Sequence, residues 1–143
     1  MFGIVANIKN SMKGYVTHIE QDTLENENFR TVLYTAPNMQ LVLMTIPPKG
    51  DIGEEVHKEG DQFIRCEEGE GIAVLNGVEH KLSDGFAVII PAGTRHNIVN
   101  VSKDEPLRLY TIYAPPHHKD KVIHETKEAA EADDEEYDGV TSE

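Results

Sequence analysis

The sequence predicts an all-β fold, a sandwich or barrel built from many short strands. Three observations carry this prediction: strand-like runs follow one another closely from residue 29 to residue 113, short turn sequences separate them, and hardly any helical pattern interrupts them. A chain of 143 residues suffices for one domain of this kind and is short for two.

Eight runs rich in β-branched and apolar residues make up the predicted strands. In chain order they span residues 29–35, 39–46, 62–67, 72–75, 78–82, 86–90, 98–101 and 107–113. The strongest turn signal is Asn76-Gly77, because both residues favour the positive φ that a two-residue hairpin requires. Residues 47–60, rich in proline, glycine and charge, are predicted to form a long loop.

The two ends of the chain are predicted to differ from this central unit of residues 29–114. Residues 1–28 form an N-terminal extension with an edge strand at 15–18 and a helical turn near 21–26. Residues 115–143 begin with two prolines that break the sheet pattern and continue into a short helix at 126–132. Residues 133–143 are an acidic tail that we expect to be disordered, because it cannot bury enough apolar surface to offset its ordering entropy.

The distribution of charge excludes several classes of partner. Of the net charge of −13, residues 125–143 carry −8, with nine acidic residues and one basic, which leaves −5 for the rest. Binding to nucleic acid or to an anionic membrane requires a basic surface, so we expect neither. The absence of a long apolar run, of signal-peptide features and of a second cysteine predicts a cytoplasmic protein.

The most specific spacing in the chain joins a turn, a sharp bend and a histidine. It consists of Gly85, five residues, Pro91, one residue, Gly93, two residues, His96, three residues and Asn100. Gly85 ends a turn and Pro91-x-Gly93 folds the chain back, so His96 begins the next strand and can point into the interior. This spacing resembles the second signature of the cupin family at every fixed position.

The first cupin signature has its counterpart in residues 50–69. Gly50 matches its leading glycine loosely, one residue out of place, and Glu55 stands where the first histidine would be. His57 takes the second histidine position, Gln62 the glutamate position, and Gly69 follows after six residues. The resemblance covers residues 39–113 and implies a single-domain jelly-roll β-barrel with a metal in its mouth, often dimeric. Small single-domain cupins with similar strings are labelled as similar to mannose-6-phosphate isomerase.

The resemblance implies one divalent metal ion (Fe, Mn, Ni or Zn) held by Glu55, His57, Gln62 and His96. Glu55 and His57 are two residues apart and so face the same side of a strand. Two imidazoles and a carboxylate suit non-haem Fe(II) sites with open positions, and also Mn(II). Gln62 is a weaker fourth ligand or an outer hydrogen-bond partner. Asp61 is its rival, since only one of the two can point inward, and we favour Gln62. A vestigial pocket without metal is the alternative.

Five further residues are candidates for contact with a substrate. Arg65 and Arg95 could each bind an anionic substrate, although each also fits the role of a surface charge. Arg95 is the better candidate because it is next to His96. Met44 and Tyr110 lie on predicted strands and are expected, together with Ile112, to fill the interior; alternatively they shape a substrate cavity beside the metal.

The remaining histidines of the C-terminal segment and the cysteine are given structural roles. His117, His118 and His124 are interpreted as surface residues of a polar segment, with His124 the best placed to cover the barrel mouth. Cys66 has no activating base near it in sequence and is interpreted as a small buried residue.

The residues suggest three functions. The first is a metal-dependent enzyme acting on a small polar substrate, sugar-like or keto, with isomerase-like chemistry and Glu55 as catalytic base. The second is a non-haem iron dioxygenase. The third is a non-catalytic module that binds a metal or a small molecule. A homodimer is expected in each case, because a second subunit would cover exposed sheet edges.

Overall fold

The computed structural model describes residues 11–143, so the start of the predicted N-terminal extension, residues 1–10, lies outside the described residues. Within this range the chain forms ten strands and two short helices, α1 (Ile19–Glu25) and α2 (Lys127–Glu131). The strands are β1 (Arg30–Thr35), β2 (Gln40–Ile46), β3 (Glu55–Val56), β4 (Asp61–Glu68), β5 (Glu70–Leu75), β6 (Val78–Ser83), β7 (Ala87–Ile90), β8 (Arg95–Asn100), β9 (Leu107–Ala114) and β10 (Ile123–His124).

The strands make two antiparallel sheets that share one core. The first sheet has the order β10-β1-β2-β9-β4-β7 and the second the order β3-β8-β5-β6. Buried side chains of both sheets, such as Met44 and Leu109 in the first and Ala73 and Ile98 in the second, belong to a single apolar cluster. The all-β prediction is therefore confirmed. Between residues 11 and 143 no backbone ladder joins the two sheets, so the arrangement is a sandwich rather than a closed barrel.

The hairpin between β5 and β6 has the turn that its sequence predicts. Asn76 and Gly77 adopt φ values of 49° and 84°, and the flanking Leu75 and Val78 are paired. A side chain at Gly77 would meet no other atom, so its glycine is required by the backbone conformation and not by space.

Alternation along β9 decides which side chains reach the interior. Thr111 and Tyr113 are buried, whereas Tyr110 and Ile112 lie on the opposite face and are half-exposed. The Tyr110 ring instead packs on the outer face near Phe63, 6.2 Å between centroids. The prediction that Met44 fills the interior is confirmed, since it is fully buried. For Tyr110 and Ile112 it is wrong, because side chains of neighbouring strand residues point to opposite faces.

Differences from the predicted elements concern polar or very short segments. β8 begins at Arg95, three residues before the predicted start, and β3 and β10 lie in segments expected to be irregular. Two residues are too few to show alternation, and Arg95, His96 and Asn97 are polar, so pairing with a neighbouring strand decides where these strands form. Residues 15–18 form no strand, so the predicted edge strand is wrong, while α1 confirms the predicted helical turn.

The acidic segment after α2 lies against the body of the protein. Ser142 donates its backbone N–H to the carbonyl of Thr35, at 2.9 Å, and Tyr34 donates its hydroxyl to the carboxylate of Glu143. The carboxylate of Glu135 accepts the backbone N–H of Lys119 at 2.7 Å. The expected disordered tail is thus not what the structure shows, because its carboxylates find specific donors that composition alone does not reveal.

Neither helix of the described region has the length and apolar character needed to cross a membrane.

Candidate metal centre

Three side chains that can hold a metal ion meet at the edge of the second sheet. Glu55 lies on β3 and His57 directly follows that strand, so the two side chains point to the same side. β3 pairs with β8 in a register that places His96 opposite Glu55. One oxygen of Glu55 and one ring nitrogen of each histidine lie within 4.8 Å of one another. Residues far apart in the sequence thus form one compact ligand group.

The two histidines present free ring nitrogens to this group. Oε1 of Glu55 lies 3.3 Å from Nε2 of His57 and 4.0 Å from Nε2 of His96. Nδ1 of His96 lies 2.9 Å from the carbonyl oxygen of Thr94. A carbonyl only accepts, so Nδ1 carries the proton and Nε2 keeps its lone pair. Both Nε2 atoms are buried and have no hydrogen-bond partner among residues 11–143. Buried lone pairs without partners are rare, and a divalent metal ion fits this donor set.

The turn between β7 and β8 supports the backbone of His57. Gly93 donates its N–H to the carbonyl of His57 at 2.8 Å, and Thr94 donates to the carbonyl of Pro91 at 3.1 Å. Gly93 has a φ of 86°, a conformation that residues with a side chain rarely adopt. The same turn therefore positions His96, which follows it, and fixes His57 from the other signature stretch.

Glu55 is the ionised and most accessible member of the group. Burial of its carboxylate favours the protonated form, but the neighbouring ring of His57 and the positive charge of Arg30 outweigh this and lower its pKa. Its side chain is 35% exposed, compared with 14% for His57 and 3% for His96. A ligand entering from solvent would therefore reach the group on the side of the carboxylate.

The choice between Asp61 and Gln62 is decided by strand alternation on β4. Asp61 is exposed, and its Oδ1 accepts the backbone N–H of Ala92 at 2.9 Å. Gln62 is 4% exposed, and its amide nitrogen donates to the hydroxyl of Thr111 at 2.9 Å. Its amide oxygen Oε1 is buried without a hydrogen-bond partner in the described part of the chain. Gln62 is therefore the inward residue and has an oxygen available to a further ligand.

His117 belongs to the surroundings of the ligand group, although the sequence suggests an ordinary surface residue. The residue is exposed, yet the centroid of its ring lies 4.4 Å from that of His57 and 5.1 Å from that of Tyr113, on which it stacks. Burial, with His118 and His57 as neighbours, lowers the pKa of His117 to about 4. The surface interpretation is thus incomplete, because the ring stacks on Tyr113 and makes a T-shaped contact with His57.

A cavity of about 360 Å³ lies beside His57 and His117. Its wall is made by three stretches of the chain: residues 56–61, then Tyr113 with residues 115–117, and the tail residues Glu136 and Tyr137. The cavity falls in the range of small-molecule sites. Because the tail supplies part of the wall, the acidic segment contributes to the pocket as well as to the surface.

His118 and His124 are buried, at 5% exposure each, so their interpretation as surface residues is wrong. Nδ1 of His118 lies 2.6 Å from Oε2 of Glu135, and Nε2 of His124 lies 3.0 Å from Oδ2 of Asp133. Carboxylates of the acidic tail thus contact both rings, and the composition of the tail gives no indication of these contacts. The physical cause is local: each buried imidazole needs a partner for its polar nitrogen, and the tail supplies one.

Arg30, which no sequence motif points to, is 7% exposed and lies on β1, two residues from the core residue Val32. One signal was available: Arg30 and Val32 are two residues apart on a strand, and hence on the same face. Nη1 of Arg30 lies 3.1 Å from Nδ1 of His124. The guanidinium therefore lies inside the sandwich, where the sequence suggested only apolar residues.

The two arginines considered for anion binding lie at the surface. The Arg95 side chain is 62% exposed, with Nε 3.9 Å from Oε2 of Glu54. Arg65 is 39% exposed and pairs with Glu67 at 3.3 Å. Arg95 precedes His96 on β8 and so points to the opposite face, away from the ligand group. Its position offers no support for the substrate contact expected from the sequence.

Comparison with known proteins gives a consistent family assignment. Residues 42–113 match the cupin domain. An uncharacterised protein of Acanthamoeba polyphaga mimivirus is 44% identical over 78% of this chain and 71% of its own. A crystal structure of a protein from Bacillus halodurans, 41% identical, has a TM-score of 0.82 over 85% of this chain and 96% of that one. A sugar phosphate isomerase from Silicibacter pomeroyi is 23% identical, with a TM-score of 0.52 over 60% of this chain and 59% of its own, and shares the fold alone.

Proposed function

Because the chain belongs to the cupin family, we propose that it binds one divalent metal ion through Glu55, His57 and His96 and acts as a metal-dependent enzyme on a small polar substrate. One observation carries the proposal. Two buried imidazole Nε2 atoms without hydrogen-bond partners, within the range that the structure describes, converge with an ionised carboxylate. This arrangement is unfavourable without a cation and suited to one.

Each residue of the group has a defined part in this proposal. A divalent ion would supply Lewis-acid polarisation of a substrate carbonyl or hydroxyl oxygen. His57 and His96 hold the ion with neutral nitrogens, and Glu55 adds the negative charge. Gln62 offers its free amide oxygen as a weak fourth ligand while Thr111 fixes its orientation. Two nitrogens and one carboxylate leave positions open for a substrate.

The cavity beside His57 is the proposed site of the substrate. Its polar lining suits a sugar-like or keto compound, and His117 presents an imidazole that can accept a proton from such a ligand. Isomerase-like chemistry needs a base close to a polarised carbonyl. The sequence suggested Glu55 for this role, and His117 is a second candidate because it is not needed to hold the metal.

One specific observation supports a dioxygenase as a second candidate function. Two histidines and one carboxylate on one side of a metal form the ligand set of non-haem iron oxygenases. Oxygen consumption by the iron-loaded protein in the presence of a substrate would favour this function. A protein that is equally active with manganese or zinc and leaves oxygen untouched would favour isomerisation.

Metal analysis of the purified protein tests the proposal most directly. We expect about one divalent ion per chain, lost in His57→Ala and in His96→Ala and retained in His80→Ala, which alters an exposed histidine on β6. The circular dichroism spectra and melting temperatures of the variants are compared with those of the wild type in a chelator. Values close to those of the wild type would show that a variant has lost the metal without unfolding. A wild-type protein that takes up no divalent ion after dialysis would contradict the proposal.

A substrate screen separates catalysis from binding. Sugar phosphates and small keto compounds are added to the metal-loaded protein, first in a thermal-shift assay and then in a turnover assay. Turnover that falls in His117→Ala, with metal content unaltered, would support the catalytic proposal. Binding without turnover for every compound that stabilises the protein would favour the non-catalytic module.

The homodimer and the cytoplasmic location stay predictions. Light scattering at micromolar concentration would test the first, and a monomeric mass would count against it.

A further inference from the structure

The cavity beside His57 has an acidic wall. Among the described residues that line it, the charged side chains are one lysine and three acids: Lys58, Glu59, Asp61 and Glu136. The described lining contains no arginine. With its histidines neutral, this wall therefore carries more negative than positive charge. Its sign bears directly on which small molecules the cavity can hold.

The C-terminal tail holds Glu136 at this cavity. On one side of it, the carboxylate of Glu135 accepts the backbone N–H of Lys119 at 2.7 Å. On the other side, Tyr137 donates its backbone N–H to the carbonyl of His117 at 3.1 Å. The chain is thus fixed directly before and directly after Glu136, which keeps this exposed carboxylate in the cavity wall.

Lys58, the one cation of the described lining, does not make an anion site of the cavity. The residue is exposed, and so is Glu59, which follows it. A lysine ammonium is a strongly hydrated point charge on a flexible stem, whereas phosphate and carboxylate groups are held best by the planar fork of an arginine. Carboxylates outnumber this single ammonium in the described wall, so the surface repels a second anion.

Aromatic side chains supply the remaining recognition surface. Tyr113, His117 and Tyr137 line the same cavity, and the rings of Tyr113 and His117 are stacked with their centroids 5.1 Å apart. Aromatic rings offer apolar contact area to the C–H groups of a small polar molecule. Ionised carboxylates can only accept hydrogen bonds, so they pair with the hydroxyl groups of such a molecule. The combination suits a ligand that is rich in hydroxyl groups.

We propose that the cavity binds an uncharged, hydroxyl-rich molecule of the sugar class, and that Glu136, with Glu59 and Asp61, excludes the phosphorylated forms. This inference rests on the proposed function and names the class of its substrate. The carbonyl or hydroxyl group that the metal polarises lies towards His57, and the other hydroxyl groups donate to the carboxylates of the wall. A phosphate in their place is disfavoured, because like charges brought together in a binding site cost affinity.

The proposed metal ion does not reverse this selection. It would lie on the side of the cavity where His57 is, and the carboxylate of Glu55 would neutralise part of its charge. Attraction of an anion to the ion therefore acts at that end, whereas the exclusion acts on the part of the ligand that lies against the acidic wall. The most informative ligands carry a phosphate remote from the carbonyl group.

The test compares mannose, glucose and fructose with their 6-phosphates, in which the phosphate is remote from the carbonyl group. The protein is loaded with manganese, excess metal is removed, and binding is measured by calorimetry and thermal shift in about 50 mM salt, where screening is weak. We expect at least one of the three sugars to bind, and its 6-phosphate to bind at least about tenfold more weakly. Failure of all three sugars to bind, or a 6-phosphate that binds as tightly as its sugar, would overturn the inference.

Glu136→Lys identifies the residue responsible, with Asp134→Lys as the matched control. Both substitutions change the charge of the tail equally and both side chains are exposed, but Asp134 does not line the cavity. We expect the 6-phosphate to bind about 3- to 30-fold more tightly to Glu136→Lys than to the wild type, and with unaltered affinity to Asp134→Lys. This gain should vanish in about 0.5 M salt. Equal effects of the two substitutions would show that the tail acts only through its net charge, contrary to the inference.

Metal content, measured on the same samples, separates this inference from the proposed function. Metal bound by the wild type, together with a 6-phosphate that binds as tightly as its sugar, contradicts the inference alone. A wild type that holds no metal but still binds a sugar in preference to its 6-phosphate supports the inference and contradicts the metal proposal.

Discussion

Replacing Glu135 by glutamine should weaken the fold measurably, although the residue lies in a tail that the composition marks as disordered. Its Oε2 lies 2.6 Å from Nδ1 of His118, and both side chains are 7% exposed, so solvent screens the contact little. Breaking a buried ion pair costs about 3–5 kcal/mol. The pKa of His118 is lowered, chiefly by burial, so the ring can stay neutral when its partner is lost. The expected loss is therefore that of a charge-assisted hydrogen bond, about 2–3 kcal/mol.

The assay is urea unfolding at pH 7 of the wild type, Glu135→Gln and the control Glu136→Gln. Glu136 carries the same charge one residue further on and is exposed, so its replacement should cost no more than about 0.5 kcal/mol. Glu135→Gln should also lower the melting temperature by about 5–10 °C. Equal stability of the two variants would refute the reasoning and show that the tail does not hold His118.

The pH dependence follows from the same pair. Burial favours the neutral acid of Glu135, but the hydrogen bonds from His118 and from the backbone of Lys119 outweigh it and lower its pKa from 4.5 to about 2. A lowered carboxylate pKa stabilises the folded state above the unfolded value and loses that effect as the pH falls through the folded value. The difference in the free energy of unfolding between the wild type and Glu135→Gln should therefore be largest above about pH 4.5 and should shrink as the pH falls towards 2. A gap that stays constant down to that pH would contradict the assignment.

Three further predictions concern the interior. Gln62→Glu replaces the inward amide oxygen by an anionic carboxylate oxygen, so competition with a chelator should show a metal affinity about tenfold higher or more. Without metal, in EDTA, the variant should be less stable to unfolding than the wild type. An unaltered metal affinity would mean that residue 62 does not reach the ion. Met44→Ala should cost about 2–5 kcal/mol in urea unfolding, because Met44 is fully buried, whereas Met39→Ala alters a residue that is 47% exposed and should cost no more than about 0.5 kcal/mol. Burial raises the pKa of the Cys66 thiol to about 11, so a thiol reagent at pH 8 should modify native protein about a hundredfold more slowly than unfolded protein; similar rates would contradict the buried position.

Local sequence patterns were sufficient for those parts of the fold that depend on neighbouring residues. The turn at Asn76-Gly77, the helix after Thr126 and most strand centres were predicted, because backbone preference and side-chain alternation act within a few residues. Strand ends were less well predicted: β8 extends back to Arg95 because β3 and β5 pair with it. Such pairing depends on residues 20 to 40 positions away, about which local propensity carries no information.

The sequence predicted the residues at the centre of the candidate site but not the side chains that surround them. The resemblance to the cupin signatures pointed to His57, His96 and Glu55, which the structure brings together, and the preference for Gln62 over Asp61 as the inward residue is confirmed by its burial. Tyr110 was placed on the wrong face, because an apolar strand residue on a sheet with two partly covered faces can point either way.

What the sequence determined by itself is the all-β class, since strand periodicity is a local property of the chain, and the resemblance to the cupin signatures pointed to Glu55, His57 and His96 as candidate metal ligands. Only the tertiary structure decided the surroundings: Arg30 and the two buried histidines, His118 and His124, inside the sandwich, and the acidic tail folded back onto those histidines. The physical reason is that a charge is drawn into the interior by partners distant in sequence. Asp133 reaches Arg30 through His124, a contact between residues about a hundred positions apart that no pattern of neighbours contains.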